Sequence, residues 1–297
     1  PRNNYTNIVL LRELESHAVF TTNGQDADVA TVAISHDEEK LEYSPGLMFM
    51  RKQTGSDRRY GKSMQRDILG IEDTMNVNKM NQSSPESVLY GSAASESDQA
   101  ISVTSRVMYD TTYTVRDSTA VIDEKFQNAP SDEYAKGATT GVREPDFFEP
   151  GTLFPSVVTL RDATPEEVVF ALGITLQNKR YGATTSRLGR VKNHVVDVYV
   201  GSEEGPANLE LSKSLVRRFA ETEGSLEDVV HSNSLDPDVA SEFISEEYSK
   251  LSENLNVERI SDGEVESLKE SATDEIDEVL ETQKEKAEAF IDSVLDS

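Results

Sequence analysis

The stretch TPEEVVFALGITLQNKRYGATTSRLGRVKNHVVDVYV, residues 164–200, reads as a helix, a glycine-punctuated basic loop and a strand. Thr164 is placed to cap the helix, Pro165 suits its first turn, and Glu166 and Glu167 complement the positive end of its dipole. Val168, Val169, Leu172 and Leu176 belong to an almost wholly apolar body, which predicts a buried helix. Asn178-Lys179-Arg180 ends it, and Gly182 and Gly189 frame a loop whose backbone can come close to a partner. No acidic residue occurs over residues 168–196, whereas Lys179, Arg180, Arg187, Arg190 and Lys192 all fall inside. In a chain of net charge −26, that island predicts an anionic ligand.

The surrounding acidity is uneven. Residues 221–297 hold 24 acids and 5 bases, and the first 220 residues hold 31 acids and 24 bases. Carboxylates so far in excess, few lysines and no cysteine resemble a protein of a high-salt cytoplasm, where surface acids keep the chain hydrated. The absence of cysteine excludes disulfides, thiolate metal sites and a cysteine nucleophile. Four scattered histidines argue against a histidine-rich metal site. No run of about 18 apolar residues exists and no signal peptide is visible, so a cytoplasmic chain without a membrane partner is expected.

Upstream, residues 5–34 hold apolar runs that predict one or more opening strands and then a hairpin, with Asn23-Gly24 as the turn signal. Residues 51–71, RKQTGSDRRYGKSMQRDILGI, predict a helix with Ser56 as N-cap and Gly70 past its last turn. Tyr60, Met64 and Ile68 form its apolar face. Arg58, Lys62 and Arg66 recur at the same interval on another face, with Arg51, Lys52 and Arg59 nearby. Such a stripe is either a solvated face or a wall that meets a polyanion.

Residues 72–150 read as an insertion. Residues 72–100 are polar and loop-like, 101–115 suit a long strand or a hairpin reversing near Tyr109-Asp110, and 119–150 are irregular. Residues 152–161 predict a strand whose Pro155 requires an edge position or a bulge. Residues 209–220 predict a short helix. Beyond Glu221, one or two acidic amphipathic helices are expected over 225–256 and a longer one over 263–295, docked on the core by default.

No phosphate-binding GxxxxGK[ST], GxGxxG or GxSxG pattern occurs. Paired carboxylates such as Glu166-Glu167 are expected by chance in so acidic a chain, and Asp57 and Asp146, the aspartates worth considering for a nuclease, sit in no recognisable cluster. No catalytic residue, metal ligand or cofactor is assigned. Phosphate binding fits better: arginines and lysines beside a helix end, with Thr185 and Ser186 adding neutral hydrogen bonds. Tyr181 either stacks on a base or is buried.

The loop RYGATTSRLGRV resembles the glycine-rich loop of the CRISPR-associated RAMP superfamily, of the form G-x-x-T/S-S-R-G-x-G-R-V. Gly182, Thr185, Ser186, Arg187, Gly189, Arg190 and Val191 match, and Leu188 stands where the motif has a glycine. Together with MFMRKQTGSDRRYGKSMQRDIL and FPSVVTLRDATPEEV, it is similar to the backbone subunits of subtype I-D CRISPR effector (Cascade) complexes, the Csc-two family of the Cas-seven group. The likeness covers most of residues 1–220. It implies an α+β fold: an RRM-like (ferredoxin-like) βαββαβ core with large β-rich insertions, here residues 72–150 with a thumb hairpin near 101–115, followed by an acidic helical region at 221–297. It implies a non-enzymatic scaffold that polymerises along crRNA and presents it to a target DNA strand beside other Cascade subunits. Arg180, Arg187, Arg190 and Lys192, with Lys179, Tyr181, Thr185 and Ser186, are then expected on one wall of the RNA site, and Arg51, Lys52, Arg58, Arg59, Lys62 and Arg66 on the other. The alternatives are a RAMP-type RNA endonuclease and an acidic assembly protein that docks partners through its C-terminal helices.

Overall fold

The computed structural model describes residues 4–22, 24–76, 80–93, 101–123, 145–182 and 188–295, with the backbone alone at 126–128 and 141–143. The chain opens with β1 (Tyr5–Leu14), whose apolar residues run without alternation because both of its faces are covered: Ile8 and Leu10 face one core, Val9 and Leu11 the other. A hairpin follows, β2 (Val32–His36) with β3 (Glu39–Tyr43), turning at Asp37, which takes a left-handed φ of 50°. The regular hairpin ladder is here; of the expected Asn23-Gly24 turn, Asn23 lies outside the described residues, and an isolated antiparallel bridge joins Thr21 to Ala27 on either side of it.

Strand β4 (Pro45–Met48) leads into α1 (Met50–Leu69). The helix begins at Met50, so Ser56 is a buried mid-helix residue and not the cap; Gly70 closes it at φ 63° as expected. Residues 72–100, expected as loop, contain α2 (Pro85–Tyr90), capped by Ser84 and buried throughout, then β5 (Ser92–Ala93) paired with β6 (Ser102–Val103). Residues 101–115 do not form a hairpin thumb. They divide between β7 (Val107–Tyr109), on β13 (Leu153–Arg161), and β8 (Thr112–Asp117), on β4. The chain passes from one sheet to another at Asp110-Thr111, with Asp110 exposed and Thr111 buried.

Between β8 and β13 come α3 (Ser118–Val121), β9 (Ile122–Asp123), the two-stranded β10 (Phe126–Asn128) and β11 (Gly141–Arg143), and β12 (Phe147–Phe148), which pairs with β9. Strand β13 lies inside the main sheet; Pro155 is tolerated because β7 reaches only Val158, Thr159 and Leu160, leaving Pro155 with β1 alone. Next come α4 (Pro165–Gln177), held by a Thr164–Glu167 capping box, β14 (Arg180–Tyr181) and β15 (Gly189–Gly201). The main sheet is antiparallel, in the order β14-β15-β1-β13-β7.

Helices α1 and α4 cover one face of this sheet. The opposite face is covered by α5 (Asn208–Glu223), α6 (Leu226–Val230) and α7 (Pro237–Ser252) through Leu211, Leu215, Phe219, Phe243, Ile244 and Tyr248. Strand β16 (Val257–Arg259) extends the sheet beside β15, and α8 (Asp262–Thr273) and α9 (Ile276–Leu295) return to pack on α4. The single long helix expected over 263–295 is thus two, broken near Asp274, so that Val265, Ala272, Ile276 and Leu280 all meet the α4 core. The change of composition after Glu221 coincides with no separate core.

Candidate nucleic-acid interface

The basic loop and the basic helix meet at Asp57. On α1 this residue follows Ser56 and turns inward, where it is 0% exposed. One carboxylate oxygen accepts from the Tyr181 hydroxyl at 2.6 Å and from Asn178 Nδ2 at 2.8 Å; the other accepts from the Tyr109 hydroxyl at 2.8 Å. Asn178 is the C-cap of α4 and Tyr181 lies in β14. Lys179 and Arg180, the first two bases of the island, are therefore bracketed by the two groups that Asp57 holds there. On α1, Arg58 and Arg59 directly follow Asp57.

A second buried group completes the junction. Arg12, also 0% exposed, stands over the Tyr181 ring at 5.1 Å and donates from Nη1 to Asn193 Oδ1 at 2.7 Å. Asn193 in turn donates to the carbonyls of Thr175 and Asn178 and to the Tyr181 hydroxyl. Burial works against the Arg12 cation, yet the neighbouring Tyr181 and Asp57 outweigh it and hold its pKa above the ordinary arginine value. Burial pushes the Tyr181 and Tyr109 hydroxyls up and the Asp57 charge adds to this, so both remain protonated donors.

The expected site residues separate into three groups. Lys179, Arg180 and Lys192 are exposed, as are Arg51, Arg59 and Arg66 on α1. Lys179 and Lys192 form no ion pair among the described residues, and Arg180 bonds the Leu188 carbonyl. Arg190 is half-exposed and pairs with Glu15 at 2.7 Å. Lys52 is partly buried, and burial, with Arg51 beside it, pulls its pKa below the ordinary lysine value.

The second group turns inward. Lys62 is not part of an exposed stripe: it is 0% exposed, with Nζ 2.6 Å from both Asp73 and Glu86. Arg58 is mostly covered, 2.5 Å from Glu86 and bonded to the Gly91 carbonyl, whereas the exposed Arg66 of the first group touches this segment only through the Asp73 carbonyl. Asp73 and the segment 80–91 lie over this face of α1, and the carboxylates of Asp73 and Glu86 and the carbonyls of Asp73 and Gly91 take its cations. Tyr181 is 0% exposed and offers no face to a base. The third group, Thr185, Ser186 and Arg187, lies outside the described residues.

The two framing glycines are explained by the chain's own backbone. A Cβ on Gly189 would lie 2.2 Å from Ala18 Cβ, and one on Gly182 3.0 Å from the Val19 carbonyl oxygen. Sequence reasoning missed Arg12, Asn193 and the role of Asp57. Arg12 carried a signal, a lone cation within a strand otherwise rich in apolar residues, but nothing local identified its partners. Among the described residues no group of three or more metal-ligating side chains occurs, and no helix is long and apolar enough to cross a membrane.

With this geometry in hand, comparison with known proteins is informative. A family model described as Csc2 Crispr matches residues 1–294. The chain belongs to the Csc2 CRISPR family. The crystal structure of Thermofilum pendens Csc2 is similar in fold, with a TM-score of 0.65 and 14% sequence identity, covering 99% of this chain and 90% of that one. A chain of a type IV-B CRISPR complex aligns with a TM-score of 0.44 and 15% identity, covering 64% of this chain and 89% of that one. No curated protein matches. The family assignment extends through the acidic helices, beyond the residues whose motifs carry the likeness.

Proposed function

We propose that this Csc2-family chain is a non-enzymatic crRNA-binding backbone subunit of a type I-D Cascade complex, polymerising along the guide and presenting it to target DNA. The observation that carries the reading is the Asp57 junction, which places Lys179 and Arg180 of the glycine loop beside the Arg58–Arg59 turn of α1. The order β1-α1-β7-β13-α4-β15 is read as the βαββαβ unit of an RRM-like core. Since α5 and α7 cover the sheet face on which RRM modules stack bases, guide RNA is assigned to the junction of α1 with β14 and β15. Neutral donors and a few phosphate contacts would hold it, and base pairing would supply specificity. The backbone-paired β10–β11 ribbon replaces residues 101–115 as the candidate thumb.

The absence of catalysis in this proposal rests on the two suspected aspartates. Asp57 accepts three hydrogen bonds in the interior, and Asp146 accepts from the Ala27 amide. The assembly-protein alternative loses part of its support because Val265, Ala272, Ile276 and Leu280 of α8 and α9 are buried in the α4 core, although Phe290, Val294 and Leu295 at the end of α9 stay exposed.

The test is binding of single-stranded RNA across a salt series. Each phosphate contact on a single strand contributes about 0.7 to the slope of log affinity against log salt. Lys179→Ala and Arg180→Ala are each expected to lower that slope by about one contact, and their double variant by about two. Failure of the wild-type chain to bind RNA at any salt sinks the proposal, as does magnesium-dependent RNA cleavage abolished by a single Asp→Asn change.

A further inference from the structure

We infer that Asp57 is the positioning residue of the RNA site: an acid whose removal weakens binding of a polyanion. The inference rests on the RNA-binding reading above. A carboxylate one residue from Arg58 and hydrogen-bonded to both sides of Lys179-Arg180 opposes phosphate by simple Coulomb reasoning. Its environment is built to keep it there nonetheless. It is 0% exposed, three side-chain donors from three elements converge on it, and the buried Arg12 cation, which lies over the Tyr181 ring, interacts with its charge.

These contacts tie together the elements that carry the exposed cations. Asn178 fixes the end of α4, Tyr181 fixes β14, and Tyr109 fixes β7, all against one side chain of α1. The two-residue strand β14 has a short ladder, Arg180 opposite Arg190 and Tyr181 opposite Gly189, and its other side-chain anchors, Arg12 and Asn193, come from β1 and β15, so Asp57 is its hydrogen-bonded tie to α1. Without Asp57, Lys179 and Arg180 would keep their charge and lose their fixed relation to Arg59. Arginines and lysines that engage several phosphates of one strand together depend on that relation.

Position and charge are separable by substitution. In Asp57→Asn the amide oxygen still accepts from Asn178 and Tyr181, while the amide nitrogen donates to Tyr109, whose hydroxyl turns toward Tyr90 3.5 Å away. In Asp57→Ala all three bonds are lost. The experiment measures affinity for a single-stranded homopolymeric RNA, with its salt slope, for wild type and both variants. Asp57→Ala is expected to bind about tenfold more weakly, with a shallower slope, despite the gain in net positive charge. Asp57→Asn is expected to restore most of the affinity and the slope.

Equal or tighter binding by Asp57→Ala, with only its thermal stability lowered, overturns the inference. Should Asp57→Ala fail to fold, Tyr181→Phe decides, because it removes one donor and keeps the ring over Arg12. A loss of about threefold with a reduced slope supports the inference, and unchanged binding overturns it. If wild-type protein itself binds no RNA, the broader reading fails first and is recognised as such.

Discussion

Lys62 Nζ lies 2.6 Å from Asp73 Oδ2, in a place where both side chains are at most 1% exposed. Glu86 stands equally close to the ammonium group, so one cation compensates two buried carboxylates, with Arg58 sharing Glu86. Replacing Lys62 by Met leaves the acids desolvated, and removing one partner of a buried pair costs about 3–5 kcal/mol. Urea unfolding of Lys62→Met is expected to show a loss of that size, with RNA affinity of the folded fraction close to wild type. An unaltered midpoint together with a large affinity loss would return Lys62 to the binding surface.

Much of the fold could be read from residues 164–200, because the signals there are local. The Thr164–Glu167 box, the apolar helix and the long strand each involve neighbours in sequence, and local rules describe them well. Lys62 was misplaced for the opposite reason. Helical periodicity finds the faces of α1, but not that Asp73 and Glu86 come onto the basic one, and a spacing of four is the same for a wet stripe and a buried one. Asp57 was unreadable in the same way, since its donors come from residues 52, 121 and 124 positions away. The break between α8 and α9 follows from the α4 surface they share, which composition does not reveal.

Arg190 makes the reverse prediction to Asp57. Its pair with Glu15 is exposed, with side-chain accessibilities of 49% and 35%, and such pairs contribute at most about 1 kcal/mol. Glu15→Gln is therefore expected to leave unfolding within about 0.5 kcal/mol of wild type. It also frees Arg190 and removes a rim charge, so RNA affinity at low salt should rise by about threefold and the gain should shrink as salt is added. A fall in affinity would mean that Glu15 orients Arg190 for its contact.

The tyrosines around Asp57 set an alkaline limit. Burial, followed by the Asp57 charge, raises the folded-state pKa of Tyr90, Tyr109 and Tyr181 above their unfolded values. A group shifted in that direction gives stability that is fully present below the unfolded pKa of about 10 and is lost as pH rises toward the folded value. Denaturant midpoints should hold from neutrality to about pH 9.5 and then fall, with each such tyrosine contributing about 1.4 kcal/mol per pH unit. In Tyr181→Phe the fall should be shallower. A midpoint that declines steadily from pH 7 would place the sensitive group elsewhere.

Gly189 tests whether the loop glycines serve ligand or chain. Its Cβ would meet Ala18 Cβ at 2.2 Å and Ala18 Cα at 2.8 Å, and neither belongs to a flexible side-chain end that can swing away. Gly189→Ala must therefore move β15 away from residue 18, at about 1–3 kcal/mol. Since Gly189 is opposite Tyr181 in the ladder, the shift reaches the Asp57 junction and lowers RNA affinity as well. Ala18→Gly removes the closest of the two contacts, so adding it to Gly189→Ala should recover part of both losses, a coupling of about 0.5–3 kcal/mol. If the second substitution recovers stability but not RNA binding, Gly189 also has to leave room for the RNA itself; if it recovers neither, the contact with Ala18 is not what demands glycine there.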